Sequence, residues 1–336
     1  MGVRAELLSD PSEGEPSRAH AERTRERDEP PPDPRNPNNP AWLQKAFIGE
    51  FGDNYVGDTE LEGGQTAPSI RYLLQMALLA IQQRSTLLPL FSDEEMAKLQ
   101  AVLDHLEEAA DGGDAMAAVP RKGDQWGPSF TSLLKSLRSQ FESLLPGELL
   151  VVAGGWGQQK GGHAIMYIVE RTSEEEYSFV VLNTGDGIQY HPWTAADYPK
   201  EKCRTAIRID HIPCARLLDE AVLYTIFKMQ TTSSDDNKPE ILYEVVLPHL
   251  ARVQLPVGIA QEDPYAEWET PQRAGVCYYR CILTTLRYLM RRQGLSQGHV
   301  KQFLHALRRG FLARTEADLR GKTALYRSHL QLVKLA

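Results

Sequence analysis

The chain has 336 residues, 42% of them hydrophobic and 24% charged, a composition that excludes collagen, coiled-coil rods and wholly disordered chains and calls for a folded core. Lys and Arg number 37 against 45 Asp and Glu, a formal charge of -8, so the basic surplus with which nucleic-acid binders neutralise phosphates is missing. The longest apolar stretches, such as Tyr72 to Ile81, fall short of the ~20 residues that cross a bilayer, and neither nucleic acid nor membrane is an expected partner.

Residues 1 to 40 hold eight of the 21 prolines, nine acidic and six basic residues, and only Met1, Val3, Leu7 and Leu8 as larger apolar side chains. Such a segment buries too little surface to offset chain entropy and reads as a disordered tail. The N-terminus carries charge from Arg4 onward and has no apolar run of the kind a secretory signal needs. Cys203, Cys214, Cys277 and Cys281 are too few for a disulfide scaffold. A reducing cytoplasmic or nuclear setting is expected, where a thiol is free to react.

Residues 41 to 145 follow a helical pattern. Pro68 to Ser85 is nearly continuously apolar, and Ser92-Asp93-Glu94-Glu95 is a capping box ahead of a helix over Met96 to Ala110. Asp111-Gly112-Gly113-Asp114 supplies a break. Phe130, Leu133, Leu134, Leu137, Phe141, Leu144 and Leu145 then recur at helical spacing until Pro146-Gly147.

Beyond Pro146 the period is that of strands: Glu148 to Ala153, His163 to Glu170 and Tyr177 to Asn183 predict a small antiparallel meander. Leu217 to Met229 and Ile241 to Leu250 read as helices around a polar loop, Thr231 to Lys238. A strong helix begins near Cys277 and ends past Arg292 at Gly294; Ser296 caps another with Val300, Phe303, Leu304, Leu307 and Phe311 on one face. A last helix is expected from Thr315 onward. The expected organisation is a tail over 1–40, a helical subdomain over 41–145, a strand-rich domain over 146–295 and C-terminal helices over 296–336, in the α+β class.

Reactive residues gather at the ends of these elements. His163 opens a strand after two glycines, and Asn183 ends the next. A hairpin centred on Ser173 places the two side by side, with Cβ atoms ~5 Å apart; a shift of half a residue pairs His163 with Thr184 instead. A satisfied core histidine and a turn cap are the plainer alternative. Cys277 starts an apolar helix, where unpaired backbone N–H groups stabilise a thiolate, although it and Cys281 also suit burial as small apolar residues. Gln272, five residues earlier, can donate with the Cys277 backbone N–H to a developing oxyanion. Nucleophile, base, orienting group and oxyanion donor are thus all present. Asp186 competes with Asn183 for the orienting role. His191, before Pro192, is a second candidate base in a position that suits structure better.

The order His, strand-ending Asn, Gln, Cys, carried by Gly162-His163-Ala164, Leu182-Asn183-Thr184-Gly185 and Gln272-Arg273-Ala274-Gly275-Val276-Cys277, resembles the ubiquitin-like-protein protease group, which includes SUMO proteases and the adenoviral protease. It is also similar to the N-terminal region of very large eukaryotic proteins named ubiquitinyl hydrolases. The resemblance covers about residues 146 to 295. It implies a papain-like cysteine protease fold with the nucleophile on a helix N-terminus. It also implies cleavage after the C-terminal glycine of ubiquitin or a ubiquitin-like protein, by Cys277, His163, Asn183 and Gln272. Tyr278 stands where the group has Gly after the nucleophile, and Asn183 where Asp is commoner. Trp156, Trp193, Gly162 and Gly275 are then candidates to line a groove for a glycine tail.

No metal or organic cofactor is required by this chemistry. Gly154 to Gly162 lacks the phosphate-loop pattern, Asn183 to Gly187 lacks the later ligands of a calcium loop, and the cysteine spacings are not those of zinc knuckles. Two other functions use the same fold: a non-catalytic protein-binding module, and an acyltransferase acting through the same Cys and His. A reactive Cys277 is expected to be exposed within ~4 Å of His163, and a structural one buried away from it.

Overall fold

Leu149 to Ala153 and Ile165 to Val169 are apolar at every position, the pattern of strands covered on both faces. The computed structural model describes residues 66–159, 161–194, 201–252, 263–272 and 276–319. In chain order its strands are β1 (Leu149–Gly157), β2 (Gly162–Arg171), β3 (Glu176–Leu182), β4 (Trp193–Thr194), β5 (Lys202–Arg204), β6 (Ala206–Pro213) and β7 (Trp268–Glu269). The main sheet is antiparallel with the order β1-β2-β3-β6, and a small second sheet runs β4-β5-β7.

The helices are α1 (Thr66–Gln82), α2 (Arg84–Leu87), α3 (Asp93–Ala117), α4 (Trp126–Ser143), α5 (Cys214–Leu217), α6 (Glu220–Thr231), α7 (Leu247–Ala251), α8 (Cys277–Arg292) and α9 (Gln297–Leu319). A π-helical turn, Ile241–Val246, leads into α7. The chain is therefore an α+β protein with small antiparallel sheets. Among the described residues no helix is long and apolar enough to cross a membrane.

Each face of the main sheet carries its own core. Val151, Ala153, Met166, Ile168, Val180 and Leu182 point to one side, where α1, α3, α8 and α9 pack. Val152, Ile165, Tyr167, Val169, Phe179, Val181, Ile207 and Ile209 alternate to the other, against α4, α6 and the π turn. The apolar interior runs without a break across residue 145, because α1 and α3 share a core with β1, β2 and α8.

Several expected boundaries move. The capping box at Ser92 and Glu95 is present, but α3 continues through Asp111-Gly112-Gly113-Asp114 to Ala117. A Cβ at Gly113 would lie 3.1 Å from the Ala67 Cβ, so glycine here allows α1 and α3 to approach closely. The flanking aspartates both accept from Arg71 of α1, at 2.7 and 2.6 Å, which ties the supposed break into the helix pair. No new helix starts at Thr315, since α9 runs through to Leu319; the remainder of the expected last helix, 320–336, lies outside the described residues. β6 was not expected, although its Ile207, Ile209 and Ile212 all enter the core. The tail over 1–40 lies outside the described residues.

The β2–β3 register also differs from expectation. Met166 pairs with Leu182 and Arg171 with Tyr177, which centres the hairpin on Glu174 instead of Ser173. The turn sets this register: Thr172 and Ser173 N–H both donate to the Glu176 carbonyl. A displacement of two positions across the ladder keeps every side chain on its face, so His163 and Asn183 become diagonal neighbours instead of directly opposed ones.

Candidate active site

At the end of the sheet, past the last β2–β3 pair, His163 and Asn183 lie on the same face. His163 Nε2 is 2.8 Å from Asn183 Oδ1. The orientation of the Asn183 amide follows from its other partners. Gly185 N–H donates to Oδ1 at 3.0 Å, while Nδ2 donates to the Asp186 carbonyl at 2.6 Å and to Tyr243 Oη at 3.0 Å. An acceptor therefore faces His163, Nε2 must carry the proton, and Nδ1 is left to address a nucleophile.

The candidate nucleophile arrives from the opposite face. α8 packs against β2 from the other helical layer and brings its first residue, Cys277, to the His163 ring. Burial works against charge on the thiol, but the hydrogen bond and charge interaction with His163, with backbone N–H groups of Ala164 and Tyr278, hold the Cys277 thiol below the ordinary range. Burial likewise opposes charge on His163. Its contacts with Cys277 and Asn183, and the field of Asp186, nevertheless raise the imidazole above its usual value. Both shifts act in the direction that favours a thiolate beside an imidazolium. The other buried thiols behave oppositely: burial pushes Cys203 up to about 12 and Cys281 well up.

Cys277 is 7% and His163 8% exposed. The expected alternatives, exposed beside the histidine or buried away from it, therefore combine into a third arrangement: buried beside it.

Gln272 is joined to the same corner by Thr184. Gln272 N–H donates to the Thr184 carbonyl at 2.8 Å, and Thr184 Oγ1 donates to Gln272 Oε1 at 3.1 Å. This turns the amide so that Nε2 lies over Gly185 beside His163. A Cβ on Gly185 would overlap Cδ and Nε2 of Gln272 and come within 2.6 Å of His163 Cε1.

The remaining candidates take other places. Asp186 makes no hydrogen bond to His163; its Oδ2 accepts from Trp156 Nε1 at 2.9 Å. Trp156 is buried and tilted against the His163 ring, with centroids 5.1 Å apart, so it braces the imidazole and does not wall a groove. Trp193 lies partly exposed in β4, paired with Cys203 of the second sheet. Gly162 is exposed at the start of β2, opposite Gly157. Gly275 lies outside the described residues. Tyr278 is buried in the α8 core.

His191 does not approach Cys277 as a second base. It is fully buried, with Nδ1 2.7 Å from the Arg204 carbonyl and Nε2 2.9 Å from Tyr243 Oη. Tyr243, on the π turn, had no signal in the sequence beyond a place in an apolar stretch, yet it contacts both His191 and Asn183. Among the described residues no cluster of His, Cys, Asp and Glu could hold a metal ion. No family model matches this chain, and no curated protein matches it.

Proposed function

We propose that the protein is a cysteine peptidase that hydrolyses the bond after the C-terminal glycine of ubiquitin or a ubiquitin-like protein, on a papain-like arrangement of sheet and nucleophile helix. The observation that carries the reading is that His163 contacts both Cys277 and Asn183 while Gln272 lies beside it. The substrate class comes from the resemblance of the three motifs.

In this reading the Cys277 thiolate adds to the glycine carbonyl carbon, and the C=O electron pair moves to oxygen, where the Gln272 amide and the Cys277 N–H receive it. Collapse breaks the C–N bond, and the His163 proton goes to the leaving amine. Water then adds to the thioester, giving its proton to His163, and collapse releases the carboxylate and Cys277. Asn183 keeps the ring in its plane throughout.

The test is incubation of wild type and Cys277→Ala with ubiquitin and SUMO probes that carry a thiol-reactive C-terminus. An adduct on wild type alone is the expected result. The burial of Cys277 favours a second reading, a protein-binding module on the same fold; a folded wild type that binds these probes without forming an adduct would select it.

A further inference from the structure

Behind Asn183 runs a buried polar chain that the chemistry above does not use. Its donor directions can be assigned from one end. The Arg204 carbonyl is an acceptor, so His191 Nδ1 carries the proton at 2.7 Å. The other ring nitrogen, Nε2, is then an acceptor for Tyr243 O–H at 2.9 Å. With its own proton committed to His191, Tyr243 Oη offers lone pairs to Asn183 Nδ2 at 3.0 Å. Asn183 Oδ1 in turn accepts from His163 Nε2. Every link is filled and none can reverse while His191 is neutral. Burial holds it so, pushing its imidazole down to about 4. Stacking of Tyr190 on Tyr243, centroids 4.9 Å apart and nearly parallel, holds the phenol ring in place between His191 and Asn183.

We propose that Tyr243 and His191 are positioning residues that act on Cys277 through Asn183 and His163: they make position 183 a place for an amide, and so fix which nitrogen of His163 faces the thiol. The inference rests on the reading of Cys277 as a nucleophile. The chain of proton assignments also gives His191 a use that does not require it to meet substrate.

The test uses iodoacetamide, whose CH2 carbon forms a bond to the thiolate sulfur as iodide leaves, so no knowledge of substrate is needed. The alkylation rate of Cys277 is followed from pH 5 to 10 by peptide mass spectrometry on the full chain, for wild type, Tyr243→Phe, His191→Ala and His191→Gln, with folding checked by circular dichroism. Tyr243→Phe and His191→Ala should alkylate about tenfold more slowly at pH 7, with the profile displaced to higher pH. His191→Gln, whose amide can accept from Tyr243 and donate to Arg204, should recover most of the rate lost in His191→Ala. A merely structural role would change stability without moving the profile.

Wild-type and variant profiles that superimpose, with Cys277 reactive in all, would overturn the inference and leave the nucleophile standing. A wild-type Cys277 that reacts no faster than Cys203 would overturn the nucleophile and the inference with it. Where a variant does not fold, nitrogen-15 shifts of His163 in Cys277→Ala decide: the neutral ring should carry its proton on Nε2, and a proton on Nδ1 would refute the assignment.

Discussion

The Gln272 amide and the His163 ring converge over residue 185 because it has no side chain: a methyl there would occupy the place of the Gln272 amide and press on His163 Cε1. Gly185→Ala should therefore displace the candidate oxyanion donor and crowd the His163 ring while leaving Cys277 unchanged. The expected result is a folded protein that costs about 1–3 kcal/mol for overpacking and forms probe adducts about a hundredfold more slowly. Wild-type adduct rates in Gly185→Ala would place the donor elsewhere.

Replacing Asn183 by Asp tests the amide from the other side. A carboxylate is the better partner for an imidazolium in general, which argues for a gain. Here the position of Nδ2 faces the Asp186 carbonyl at 2.6 Å and a phenol whose proton goes to His191. A second carboxylate oxygen would meet acceptors on both sides, at a cost of about 1–3 kcal/mol. Asn183→Asp is expected to lower both melting temperature and Cys277 alkylation at pH 7. A faster alkylation would show that the pocket re-forms around the charge.

Thiol selectivity follows from the opposed shifts. At pH 7 the thiolate fraction of Cys277 should exceed that of free cysteine, and those of Cys203 and Cys281 should be negligible. Limited labelling with iodoacetamide followed by peptide mapping should mark Cys277 at least about tenfold ahead of those two thiols, and His163→Ala should erase the lead. Preferential labelling of Cys203 would contradict the assignment.

Acid stability is expected to depend on His191. Its folded value near 4 lies below the unfolded value near 6.5. Between those values the unfolded chain binds a proton that the folded one refuses. The contribution is thus intact above pH 6.5, falls as pH drops through the window and is fully lost below about pH 4. The gap corresponds to roughly 3 kcal/mol. Urea midpoints at pH 7 and pH 4 should fall further in wild type than in His191→Gln; equal losses would show that other groups dominate.

The sequence carries the site more clearly than its surroundings. His163, Asn183 and Cys277 stand out because each sits at the end of a periodic apolar segment, where polar side chains can converge, and Gln272 because it lies on the loop five residues before Cys277. The register that joins His163 to Asn183 was not legible, because the turn at Thr172 to Glu176 is set by backbone hydrogen bonds that several residue types satisfy. The right face survived because the difference was two residues and not one. Gly112-Gly113 signalled a break that α3 overrides, since close packing on Ala67 and the Arg71 pairs compensate for poor helix propensity. Tyr243 was hidden for a different reason. Its role comes from contacts with residues 52 and 60 positions away, and no local pattern encodes these.

Tyr243 reaches Asn183 from a π turn, Ile241–Val246, embedded where the chain would otherwise wind as an α-helix into α7. A π turn holds one residue more than an α turn. Loss of a single residue from this stretch would restore ordinary winding and swing the phenol by about 100° around the axis, away from the amide it supports. The alignment of the Cys277–His163–Asn183 corner is in this sense counted in residues: it depends on the length of a distant helical turn as much as on the identity of any side chain within it.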